Sequence, residues 1–289
     1  FNKKVGKIIF LILFFFPIFF GHMSINSKDT ILAFSHIWIV YLALRYIKKQ
    51  NINDRSNSYV FFIGVLLALS TGIQLGFLVS LTPIFLFIFI EIFYCKKLVS
   101  KSFVKKKFFY DLIKCFLIFY SLLILFWIDS HSNIFLLPFN IVLETISNDY
   151  FATGWPYNLI NGNYYFSNEV PNLYLLINFV FKSPEYFLIS YILFLILFLK
   201  SKKFFNKKFK FFNYKLSLVI LFLIFPNLLL LIIPHPIYDG MRLFLWILPY
   251  FCIIPGLTIY YLIENSNYIK SKLAILFLAV FIIYFLFNF

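Results

Sequence analysis

Apolar residues gather in nine runs along the chain, at 8–21, 30–47, 58–73, 76–95, 112–128, 185–199, 216–234, 243–263 and 273–289, and polar residues fill the gaps between them. A helix crossing a hydrocarbon core of ~30 Å needs about 20 residues, so each run is long enough to cross or nearly cross. The pattern predicts an all-α, polytopic helical membrane protein of about nine transmembrane segments, organised as a single domain over 1–289. No repeat of fixed period and no low-complexity linker divides it. The gap from Asp129 to Ser183 is too long for a plain connection and reads as a functional loop.

Composition agrees with this. Hydrophobic residues make up 62% of the 289, aromatics 24% and charged residues only 13%, far from the usage of soluble domains. Mean hydropathy is +0.90. A formal charge of +15 would suggest nucleic acid as partner in a soluble protein. Here the cations cluster between apolar runs, at Lys3 to Lys7, Arg45 to Arg55, Lys96 to Lys114, Lys200 to Lys215 and Lys270 to Lys272, which is the positive-inside arrangement and not a nucleic-acid surface. Threading nine spans with those clusters on the cytoplasmic side leaves three of the 26 cations outside: Lys28, Lys182 and Arg242. Asp29, Asp129, Glu144, Asp149, Glu169, Glu185 and Asp239 share that outer face, so its three cations stand out against a net negative surround. The implied location is the cytoplasmic membrane, multi-pass, with a periplasmic or extracellular active face.

Cys95, Cys115 and Cys252 show no CxxC spacing, so neither a disulfide framework nor a metal cluster is indicated. A basic start followed by an apolar run has the look of a signal peptide, but no small-x-small cleavage site follows Gly21, and the topology uses the run as a span.

The outer polar material falls in three places. The first is the tight turn Gly21 to Asp29, carrying His22, Lys28 and Asp29. The second is the long loop, where Leu137 to Tyr150 reads as an amphipathic helix on the membrane surface, followed by Gly154 to Asn158 and Asn161 to Tyr165 as turns bearing aromatics. Tyrosine and tryptophan at this depth form an interfacial belt whatever the function. The third is the octet His235-Pro236-Ile237-Tyr238-Asp239-Gly240-Met241-Arg242, which places four ionisable side chains beside lipid. Charged groups at such positions are costly and tend to be paired or functional. Asp239 and Arg242, three apart at the start of the eighth run, either form a helix cap and local pair or, with the helix N-terminus, a clamp for phosphate. A further break, Ser70 to Gly76, reads equally as helix packing through small residues and as a cavity lining.

The segment Pro17 to Asp29 (PIFFGHMSINSKD), the segment Asn161 to Ser167 with Pro171, Tyr174 and Lys182-Ser183-Pro184, and the octet continuing through Leu243 to Pro249 resemble, in that order, outer-loop motifs of the C-type membrane glycosyltransferase superfamily. The nearer likeness is to bacterial family 39, of protein mannosyltransferase and aminoarabinose transferase type, and it covers roughly residues 10 to 260. The resemblance implies transfer of a sugar from a polyprenyl-phosphate donor to a lipid, glycan or protein acceptor, by inverting displacement. It makes Asp29 the acid that orients the acceptor, or binds a divalent metal in members that use one. It assigns Arg242 to the leaving phosphate, with Tyr238 and His235 lining that site and His22, Lys28 and Asp239 around it. Members carry their principal catalytic acid in the first outer loop, which nothing in this chain supplies. The resemblance thus implies a start upstream of Phe1 or an inactive copy. A transporter or lipid flippase is the alternative, with His36, Gln74, Glu91 and Asn227 as its thin intramembrane polar set.

Overall fold

The computed structural model describes residues 1–50, 56–147, 157–167, 169–232, 237 and 240–265, with 272, 276, 279, 280, 283 and 287 in the last apolar run. The elements in order are α1 (Lys3–Phe14), α2 (Pro17–Ile25), α3 (Ser27–Lys49), α4 (Ser56–Ile73), α5 (Phe77–Ser80), α6 (Thr82–Ile90) with a π-turn at Glu91–Cys95, α7 (Lys105–Phe126), a 3-10 turn at Ile128–Ser132, α8 (Leu137–Ser147), the strands β1 (Tyr157–Ile160) and β2 (Asn163–Phe166), α9 (Tyr174–Lys182), α10 (Glu185–Lys208), α11 (Phe212–Ile232), a 3-10 helix at Arg242–Ile247, α12 (Leu248–Phe251) and α13 (Ile253–Glu264). Six helical stretches among the described residues are long and apolar enough to cross a membrane: Ser27–Lys49, Ser56–Ile73, Phe77–Cys95, Lys105–Phe126, Phe212–Ile232 and Arg242–Glu264. The chain is a multi-pass helical membrane protein.

The expected first span is a bent pair, with α1 and α2 meeting at 65°. Pro17 opens α2 and has no N–H to continue the ladder from α1, so the break falls at Phe15–Phe16. Counted as one crossing, the pair is a seventh candidate. The run at 185–199 lies inside α10, which goes on into a lysine-rich end and is kinked at Ser201. The run at 273–289 lies mostly outside the described residues.

The chain divides into two compact units, residues 1–30 with 155–289, and residues 31–154. In the first, α1, α10, α11 and α13 converge on a core that includes Val5, Phe194, Phe205, Phe212, Leu257 and Tyr260. Phe205 stacks on Phe212 at 4.9 Å between centroids, and Phe16 meets Phe187 at 4.8 Å. Interior hydroxyls are tied to carbonyls: Thr258 Oγ1 donates to Ser190 O (3.1 Å) and Tyr191 OH to Phe251 O (2.7 Å). Such bonds are what lets polar groups sit in an apolar interior. At one end, Glu264 receives Lys4 Nζ at 2.8 Å and Lys208 Nζ at 2.7 Å, joining α13 to α1 and α10. Both lysines are largely solvated, so this triad orients the helix ends and contributes little stability.

The second unit pairs α4 with α7 through Gly64. A Cβ at Gly64 would stand 2.9 Å from Ile118 Cγ2 and 3.1 Å from the Cys115 carbonyl, so the absent side chain sets how closely the helices approach. The polar ends of this unit are knotted together. Gln50 Nε2 donates to Tyr46 OH (2.8 Å) and to Val104 O (3.1 Å), Val104 N donates to Gln50 Oε1 (2.8 Å), and Tyr46 OH donates to the buried Asp111 Oδ2 (2.8 Å). Ser70 and Thr71, at the start of the glycine-flanked break, are fully buried, while Gly72 and Gly76 on either side of Gln74 are exposed.

A two-stranded antiparallel hairpin interrupts the otherwise helical chain, pairing Tyr157 with Phe166 and Ile160 with Asn163. Its turn is Asn161-Gly162, with φ of 50° and 82°. Positive φ at both central residues matches the twist of the strands, and Asn-Gly meets that demand at low cost.

In the first unit, α1 approaches α13 so closely that a Cβ on Gly256 would lie 2.6 Å from Ile9 Cγ1. Gly256→Ala is expected to destabilise the chain by about 1–3 kcal/mol through overpacking, and adding Ile9→Ala should recover most of that loss. Thermal unfolding of the purified chain in detergent measures both, and an equal loss in single and double variants would contradict the contact.

Candidate functional site

Asp29 stands in the first turn of α3, only 5% exposed. Asn26, at the break between α2 and α3, donates its Nδ2 to Asp29 Oδ2 at 2.5 Å. The same oxygen accepts Arg242 Nε at 3.1 Å, across 213 positions of sequence. A carboxylate in the first turn also faces the positive end of the helix dipole. Asp29 Oδ1 makes no hydrogen bond among the described residues, so the acid is held by one oxygen and offers the other.

Arg242 begins a 3-10 helix that opens with no side-chain cap, and Met241 before it is already in the helical region. The expected cap and local pair of Asp239 with Arg242 falls outside the described residues; the helix begins at Arg242, and the partner shown for Arg242 is Asp29. Gly240 is the reason for the late start. Its φ of +62° turns the chain through a conformation that L-residues rarely adopt and ends any helical continuation backward. A helix nucleus therefore forms after the glycine.

The remaining expected residues divide. His22 lies half-buried in the last turn of α2, where its carbonyl accepts Asn26 N at 2.8 Å and so closes the turn that presents Asp29. Lys28 is exposed and makes no ion pair among the described residues. His235, Tyr238 and Asp239 lie outside the described residues, as do Asp149 and Tyr150 of the expected amphipathic helix, which is found as α8. No group of three or more metal-ligating side chains occurs among the described residues.

Lys182, the third of the cations that the charge pattern sets apart, takes no role from the resemblance. Its ammonium stands where a Cβ on Gly240 would be, two residues from Arg242, and Asn178 Oδ1 lies 3.2 Å from the same point. Lys182 and Asn178 share α9, which is anchored by Tyr174, Leu175 and Phe179. Phe179 stacks on Phe251 at 3.9 Å. The hairpin closes the other side. Its buried face sends Asn158 Nδ2 to Ile237 O at 2.6 Å, and Ile237 N returns a bond to Ser167 O at 2.9 Å. These bonds hold the middle of the octet to the end of the long loop. Between them is a cavity of 280 Å³ lined by Tyr157, Asn158, Leu159, Tyr174, Asn178, Lys182 and Gly240. Tyr157 and Leu159, which border the cavity, are exposed together with Tyr164 and Phe166 across the strand pair, an apolar and aromatic surface suited to the membrane interface.

The intramembrane polar set is in part structurally engaged. His36 Nε2 meets Ser80 O at 3.1 Å, and Glu91 Oε1 accepts the backbone N–H groups of Leu98 and, at 3.1 Å, Val99. Each has a local carbonyl or amide to satisfy it, as a packing residue does.

No family model, no curated protein and no solved structure matches the chain. The class is therefore defined by its own fold and composition, a multi-pass helical membrane protein whose candidate site joins residues near its start to residues near its end.

Breaking the Asp29–Arg242 pair leaves a buried carboxylate without its counter-ion. Arg242→Ala is expected to cost roughly 3 kcal/mol and Asp29→Ala less, because the guanidinium it leaves is 30% exposed, with the double variant losing at least about 1 kcal/mol less than the two losses added together. A double-mutant cycle by thermal or denaturant unfolding measures the coupling, and strict additivity would show the two groups to be independent.

Proposed function

We propose that the protein transfers a sugar from a polyprenyl-phosphate donor to an acceptor hydroxyl at the outer face of the cytoplasmic membrane. The observation that carries this reading is the ion pair between Asp29 and Arg242. The resemblance to C-type glycosyltransferases assigned an acid and a cation from opposite ends of the chain to one site, and the fold brings those two residues within hydrogen-bond distance. In this reading the chain crosses the membrane nine times with its lysine clusters inside.

The acceptor oxygen attacks the anomeric carbon from the face opposite the phosphate. The new glycosidic bond forms, the bond from that carbon to the phosphate oxygen breaks, and polyprenyl phosphate departs with the electron pair. Asp29, the carboxylate at the site, receives the acceptor's proton on Oδ1. Asp29, fixed through Oδ2, turns Oδ1 toward the acceptor hydroxyl and orients it. Arg242 gives its Nε–H to Asp29, and its planar guanidinium carries four further N–H groups on the two Nη atoms, a fork that matches phosphate oxygens. A cation held in place before the reaction stabilises the charge that develops on the leaving group without reorganising at that moment. Asp29 in this role both holds the cation and tempers its charge, so that the spent carrier can be released.

The test is transfer of label from a polyprenyl-phosphate sugar to acceptor by the full-length protein in proteoliposomes. Arg242→Ala and Asp29→Ala are each expected to lower turnover by about 100-fold or more, and Arg242→Lys to restore only part of it, because an ammonium lacks the planar fork. Unchanged turnover in both alanine variants would sink the assignment.

A further inference from the structure

The cavity between α9, the hairpin and Gly240 differs in character from the rest of the outer surface. Two carboxamides, two tyrosines and an ammonium line it, beside one leucine and one glycine. Ligand clefts range from about 300 to 1,000 Å³, so 280 Å³ admits one small ring and not a chain.

Hydrogen-bond direction decides what kind of ring. Asn158 spends its Nδ2 on Ile237 O at 2.6 Å and on Ser167 Oγ at 3.4 Å, and Asn178 spends its Nδ2 on Tyr174 O at 2.9 Å. A bond to a backbone carbonyl must come from the amide nitrogen, so the orientation of both amides is fixed by chemistry. Asn158 has its oxygen left for a ligand, an acceptor, and Asn178 has its oxygen and the second N–H of its amide. Lys182 supplies donors only. A ligand that fits this cavity donates to two amide oxygens and accepts from an amide N–H or an ammonium. Sugar hydroxyls do both. A phosphate only accepts, and two carbonyl oxygens would repel it.

We propose that this cavity is a monosaccharide subsite, in which Asn158 and Asn178 accept from ring hydroxyls and Lys182 donates to one. It extends the transferase reading by giving the donor's sugar a place two residues from Arg242, and it rests on that reading only for the claim that the sugar arrives on a lipid phosphate. Gly240 determines the subsite's shape, because any side chain there would take the space of the Lys182 ammonium.

The experiment uses the full-length protein in detergent and reads saturation-transfer NMR with methyl glycosides of common hexoses, with inorganic phosphate as competitor. The variants are Asn178→Leu, which removes the Asn178 amide, Gly240→Ala, which displaces Lys182, and Tyr157→Ala, which truncates a lining residue that is 56% exposed. At least one methyl glycoside is expected to give transfer in the parent protein, to lose it at least fivefold in Asn178→Leu and Gly240→Ala, and to keep it when phosphate is added. Absence of transfer from every glycoside, displacement by phosphate, or full retention in both variants and in Tyr157→Ala would each overturn the subsite. Glycoside binding by a protein that turns over no polyprenyl-phosphate sugar would leave the subsite standing and remove the transferase reading. Turnover with unaltered glycoside binding in every variant would do the reverse.

Discussion

The contact on which the candidate site depends is the pairing of Asp29 with Arg242. A carboxylate that is 5% exposed beside apolar helices is tolerable only with a counter-ion and donors, and the chain supplies both: Asn26 from the adjacent turn and Arg242 from the far end. That requirement fixes the start of α3 against the start of the 3-10 helix, which in turn places Gly240 and the middle of the octet. The loops of a membrane protein are free to vary unless something pins them. Here an ion pair pins one end, and the Asn158–Ile237 hydrogen bond pins the other.

Around this pin, each break in regular structure has a local cause and a positional effect. Pro17 ends the ladder of α1 and turns α2 so that its last turn leads into Asn26 and Asp29. Gly240 stops the last helix from extending backward, which leaves Arg242 in its first turn and opens room for the Lys182 ammonium. Asn161-Gly162 reverses the long loop within two residues, and the period of two in the strands then puts Asn158 and Ile160 inward and Tyr157 and Leu159 outward. The inward Asn158 that reaches Ile237 and the exposed Tyr157 and Leu159 that border the cavity are two consequences of that one turn.

Much of the framework was legible in the sequence. Runs of twenty apolar residues have few ways to satisfy backbone groups in lipid except as helices, so α3, α4, α7 and α11 fall where the hydropathy pattern put them. The turn at Gly21 to Asp29 and the octet were visible as polar islands. The hairpin segment reads locally as turns, although Asn161-Gly162 between aromatic runs is a strong short-range hairpin signal. Lys182 was visible as one of three outer cations, but a census of charge assigns a face and no partner.

By itself the sequence determined the environment, the helical class, the sites of the breaks and the residue types available for chemistry, because these follow from local composition and from what a bilayer permits. Tertiary structure decided which of those residues meet. Arg242 has an acid three positions before it and another 213 positions away, and local spacing favours the near one. The far one pairs with it across the fold because the burial of Asp29 demands a cation. Whether a charge is paired is a question of desolvation and approach in three dimensions, and periodicity along a chain carries no information about either.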